Sequence, residues 1–107
     1  MIATIALMLL AAPQADPLVK PRDAYAACLR GLVKGNLEKK TSVNDFTAEM
    51  KSKCATQETA FRDAITLVDA GMSAKDIKTD ADEQVQDYLD KFHDTYSDYL
   101  ANGDSPA

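Results

Sequence analysis

Two cysteines, one histidine and a ladder of carboxylates are the side chains of this 107-residue chain whose types and spacing could do chemistry. Cys28 and Cys54 stand 26 positions apart. A redox-active pair is usually C-x-x-C, where the second thiol tunes the first, and zinc asks for about four ligands at recognisable spacing. The separation suits a structural bridge instead. In an antiparallel helical hairpin the midpoint of the pair falls at Thr41, so the two cysteines face each other at one level. Closely packed helices supply the Cα separation of under about 7 Å that a disulfide needs. Closing a loop of about 27 residues is worth roughly 3.5 kcal/mol in the chain-entropy picture.

His93 has Asp90 three residues before it, which matches one half of the carboxylate–histidine pairs of di-metal bundles. Those sites draw a second such pair and further glutamates from other helices, so no metal centre is expected. A boundary histidine paired with Asp90 or Asp94 is the plain reading. Asp80-Ala81-Asp82 opens like a calcium loop but lacks the turn glycine and the glutamate at the twelfth position.

Glu83, Asp87, Asp90, Asp94 and Asp98 follow steps of four, three, four and four. At 100° per residue they share one helical face. Like charges at this spacing cost about 0.2–0.5 kcal/mol per pair, and mixed signs would keep a face soluble at lower cost. Besides plain solvation, two roles fit: an interaction face for a cationic protein or peptide, and weak divalent-cation binding.

The net charge of −5 is unevenly spread. Asp16 to Arg62 carries nine Lys and Arg against six Asp and Glu, whereas Asp63 to Ala107 carries three against eleven. An acidic chain is a poor ligand for nucleic acid or anionic lipid. The basic positions Lys34, Lys39, Lys40, Lys51 and Lys53 form a second candidate surface. No G-x-S-x-G, glycine-rich phosphate loop or haem-attachment motif occurs, and there is no tryptophan. No catalytic residue, metal or cofactor is assigned. An enzymatic alternative would have to centre on His93.

The elements that position these residues follow from periodicity. Tyr25, Cys28, Leu29, Leu32 and Val33 make one helical face. That helix starts near Arg22 and ends either at a Gly35-Asn36 left-handed cap or further on, at Leu37 to Lys39. Ser42 with Asp45 opens a second helix, whose stripe is Val43, Phe46, Met50, Cys54, Phe61, Ile65 and Val68. Its 28 residues exceed the usual 11–12, and a bend is expected at Thr56 to Thr59, where β-branched residues lower helix propensity. Gln57 interrupts the stripe and could set register, face a dimer partner or mark the bend. Ser73 with Asp76 suggests a short helical turn, and Thr79 with Asp82 the start of a third helix. Val85, Tyr88, Leu89, Phe92, Tyr96, Tyr99 and Leu100 hold the period of that helix, and Asn102-Gly103 ends it. The aromatic run on this face reads as core packing, with a small apolar ligand between helices as the functional alternative.

Residues 1–12 carry no charge and are apolar except for Thr4, too few to span a bilayer, and with Ala15 before Asp16 they fit a secretory signal peptide. Pro13, and the lack of a basic residue before the apolar run, depart from the usual pattern. The expected layout is a signal peptide over 1–15, an extended lead-in over 16–21 imposed by Pro17 and Pro21, one helical domain over 22–103 and a disordered tail over 104–107. The fold class is all-α: a three-helix bundle, made of a hairpin stapled by Cys28 and Cys54 plus a C-terminal amphipathic helix. Export to the periplasm or medium agrees with a disulfide and leaves no membrane insertion after cleavage. This plan resembles the class of small exported helical proteins that includes periplasmic acid-stress chaperones; no motif is shared residue by residue. The function expected is protein–protein contact, as an envelope-accessory or stress-type factor. The alternative is a small-ligand or metal carrier using the bundle interior.

Overall fold

The computed structural model describes residues 16–103 as four helices: α1 (Val19–Lys39), α2 (Val43–Lys53), α3 (Ala55–Val68) and α4 (Ala74–Asn102). The all-α class holds, with four helices rather than three, and there is no strand among the described residues. The signal-peptide and tail assignments, 1–15 and 104–107, lie outside the described residues.

The lead-in is not extended as far as Pro21. Asp16 accepts from the Leu18 amide with its side chain (2.9 Å) and from the Val19 amide with its carbonyl (3.1 Å). Helix α1 therefore begins at Val19, with Pro21 in the first turn. There the missing N–H would have had no intrahelical partner anyway. The helix passes through Gly35 and Asn36 and stops at the second expected end. Lys40 takes the left-handed conformation (φ 54°), which costs a side-chain-bearing residue about 1–2 kcal/mol. Asn36 is buried instead, its amide donating to the Leu32 carbonyl (2.8 Å).

The long second helix divides at Cys54 (φ −104°, ψ 18°), not at the threonines. Cys54 ends α2 and opens α3, its carbonyl accepting from the Glu58 amide at 2.9 Å. The break falls at the residue tied to α1, with a Cα–Cα distance of 5.9 Å across the Cys28–Cys54 disulfide. Ser42 caps α2 through the Asp45 amide (3.2 Å). In the last helix, Ser73 caps α4 through the Asp76 amide (3.1 Å). The helix then runs unbroken through Thr79, so the two expected starts are one. Neither glycine nor proline interrupts it, and Ala81 already faces the core. Gly103 closes it at φ 73°, as expected.

Together α2 and α3 return along α1, and α4 runs back against α3. The expected stripes meet in one core: Tyr25, Leu29 and Val33 face Phe46, Met50, Phe61 and Ile65, with Val85, Leu89, Phe92 and Tyr96 closing the bundle. Aromatic contacts knit it, Phe46 on Tyr96 at 4.1 Å between ring centres and Tyr25 on Phe61 at 5.9 Å. Val68 departs from its stripe. With Leu67 and Met72 it is exposed near the α3–α4 turn, because α3 ends there before another helix covers it.

Candidate interaction face

Helix α4 has 29 residues and sends two faces in opposite directions. Val85, Leu89, Phe92 and Tyr96 go into the core, which turns Glu83, Asp87, Asp90, Asp94 and Asp98 outward, and all five are exposed. From Glu83 to Asp98 the ridge is about 22 Å long at 1.5 Å per residue, and its members fall within an arc of about 80°. Among the described residues none of the five makes an ion pair with lysine or arginine. Asp90 accepts from Gln86 (2.8 Å), and Asp94 lies 3.2 Å from His93 Nδ1. His93 is half-buried at the edge of the core face, with Asp94 and not Asp90 as its partner.

The other carboxylates are differently employed. Asp82 receives Arg62 of α3 at 2.7 Å and Lys78 at 2.8 Å. Lys78 first and Arg62 second hold its carboxyl below the usual range. Both carboxylate oxygens of Asp80 accept from Gln84 Nε2 (3.2 Å each). The calcium-like run therefore serves the α3–α4 contact, and among the described residues no three His, Cys, Asp or Glu side chains converge to hold a metal.

Asp69, at the end of α3, carries a signal invisible in the sequence. Its carboxyl is pushed up by a hydrogen bond shared with Asp80 and secondarily by burial, and its Oδ2 is closed off from solvent with no donor among the described residues. A carboxyl with a raised folded-state pKa stabilises below its unfolded value and loses that contribution as pH rises through the folded one. We expect Asp69→Asn, which donates to Asp80 at any pH, to raise Tm at pH 7. The gain should shrink as pH falls through the carboxylate range, where the wild type regains its proton. A Tm difference that stays constant from pH 7 to pH 4 would show that the two carboxyls do not share a proton.

Gln57 is half-buried on α3, three residues past the helix break, and its Oε1 has no partner among the described residues. The basic positions Lys34, Lys39, Lys40, Lys51 and Lys53 are all exposed. Lys53 pairs with Glu49 at 2.6 Å, which leaves this second surface partly neutralised. None of the described helices is long and apolar enough to cross a membrane.

No protein-family model matches this chain, and no curated protein or solved structure does either.

Proposed function

We propose that this protein is exported to the periplasm or medium and acts there by protein–protein contact, its α4 ridge receiving a cationic protein or peptide. A role as an envelope-accessory or stress-type factor follows from that compartment and that surface. The observation that carries the reading is the ridge itself: five exposed carboxylates along one helix, none of them ion-paired with lysine or arginine among the described residues. Fixed carboxylates of one sign raise the local concentration of cations and speed their approach. They also repel one another, a cost that a binding role explains and mere solubility does not. The Cys28–Cys54 disulfide supports an oxidising compartment.

The test uses a lysine homopeptide of about ten residues and the triple variant Asp87→Asn, Asp90→Asn, Asp94→Asn. The wild type binds it, more weakly as salt rises, and the triple variant does not. Because four like-charge contacts disappear, the variant is also more stable, by on the order of 1 kcal/mol. Lost binding in a more stable protein cannot be ascribed to misfolding. Unchanged binding would remove the ridge from the account. Export has its own test: intact mass of the protein recovered from a periplasmic or culture fraction. A mass beginning at Asp16 and carrying an oxidised cysteine pair supports it, and an uncleaved mass with two alkylatable thiols overturns it.

A further inference from the structure

Between its acidic ridge and its core face, α4 has a flank turned toward α1. A groove of about 210 Å³ runs there, lined by Arg30 and Val33 of α1 and by Lys91, Phe92, Thr95 and Tyr99 of α4. The chain is acidic overall, yet both charged residues of this groove are cations. Neither Arg30 nor Lys91 makes an ion pair among the described residues. For Lys91 this is not for want of acids. Asp87 stands four residues before it, the favourable order for a helical pair, and Asp94 three after. The Lys91 ammonium lies instead 5.9 Å from the centre of the Phe92 ring. On α1, the residues one turn either side of Arg30 are Ala26, Ala27, Val33 and Lys34, and none is acidic. Thr95 adds a hydroxyl at the wall.

We propose that this groove binds a small monocyclic aromatic carboxylate, with the ring on Phe92 and Tyr99 and the carboxylate between Arg30 and Lys91. The volume sets the size, since pockets for drug-sized ligands run to roughly 300–1,000 Å³. One ring with a short acid arm is what this groove holds. The floor sets the ring, because aromatic pairs gain beyond the area they bury. The two cations set the acid. The guanidinium is a planar fork that meets a carboxylate with two parallel hydrogen bonds, and the ammonium adds a point charge. A neutral ligand would draw no attraction from either charge. This site is separate from the ridge contact proposed above, which uses the exposed carboxylates and no groove residue.

The test is a backbone-amide NMR titration of the disulfide-bonded protein with phenylacetate and, as the uncharged analogue, phenylacetamide. Phenylacetate should give saturable shifts at Val33, Phe92, Thr95 and Tyr99. Phenylacetamide should bind at least about tenfold more weakly, the usual weight of a charge-assisted hydrogen bond. Arg30→Gln and Lys91→Gln should each weaken phenylacetate by about tenfold. Both positions are exposed, so the fold is kept. Lys39→Gln, further along α1, should leave affinity unchanged. Three results overturn the proposal: equal binding of acid and amide, shifts centred on the exposed apolar residues Leu67, Val68 and Met72, or no saturation at about 20 mM, where any useful affinity would register.

Discussion

Converting Cys28 and Cys54 together to alanine is expected to lower the unfolding free energy by about 3.5 kcal/mol. The bridge joins the middle of α1 to the junction of α2 and α3, with the Cα atoms 5.9 Å apart. It closes a loop that holds the second half of α1, the left-handed turn and all of α2. The unfolded chain loses most by that closure, because the native helices already hold the two positions at one level. Cys54 is wholly buried and Cys28 half-buried, so alanine at both leaves a small apolar void and no stranded polar group. A domain of this size has about 5–10 kcal/mol in all. The double variant should thus keep its fold only narrowly, with a urea midpoint lower by roughly 2 M. Reductant should move the wild type by the same amount. A loss under about 1 kcal/mol would mean that packing alone fixes the level of α1 against α3. A large loss ties the fold itself to an oxidising compartment, the physical link between this staple and the proposed export.

Where side chains are spaced by a period, the architecture was legible. The α4 stripe from Val85 to Tyr96 and the α1 stripe from Tyr25 to Val33 are the core, and the facing level of Cys28 and Cys54 follows from arithmetic on a hairpin. The acidic ridge is the complement of the α4 stripe, so its exposure came with it. What escaped was set by single-residue backbone choices and by contacts between distant positions. The helix break sits at Cys54 and not at Thr56 to Thr59, since local propensity of a few tenths of a kcal/mol yields to the geometry of a bridged residue. Lys40, and not Gly35, turns left-handed; Asn36 is buried within the helix, its amide on the Leu32 carbonyl and its own carbonyl accepting from Tyr96 of α4. The Arg62–Asp82 tie and the Asp69–Asp80 pair join positions 20 and 11 residues apart on opposite sides of a turn, and no periodicity announces them. The groove at Arg30 and Lys91 is a property of two helices seen together, each ordinary by itself.

Tyr96→Phe is expected to cost about 1–3 kcal/mol, while Tyr25→Phe, an identical change elsewhere in the core, should cost nothing or gain up to about 1 kcal/mol. Both tyrosines are fully buried, and phenylalanine keeps ring and volume at each. Their hydroxyls differ. Tyr96 lies flat on Phe46 and donates to the carbonyls of Thr41 and Asn36, the latter at 3.2 Å. The Asn36 carbonyl also takes the Thr41 amide (3.1 Å), so it survives the loss with a partner, whereas the Thr41 carbonyl loses its donor from α4. That carbonyl belongs to the turn in which Lys40 is held left-handed, and the hydroxyl reaches it from 55 residues away. It is a long-range contact onto the turn where α1 stops. Burial, the largest influence on this phenol, raises its pKa and so keeps it a neutral donor. The Tyr25 hydroxyl has no partner among the described residues. Burial, then the charge of Glu58, pushes its pKa up to about 12, the mark of a polar group shut in without compensation. Removing it takes away a desolvation cost and no bond. Urea unfolding of the two variants should therefore shift in opposite directions or leave Tyr25→Phe unmoved. Equal losses would mean that the Tyr96 hydroxyl does not fasten the turn, and that the end of α1 is fixed by the Phe46 stack alone.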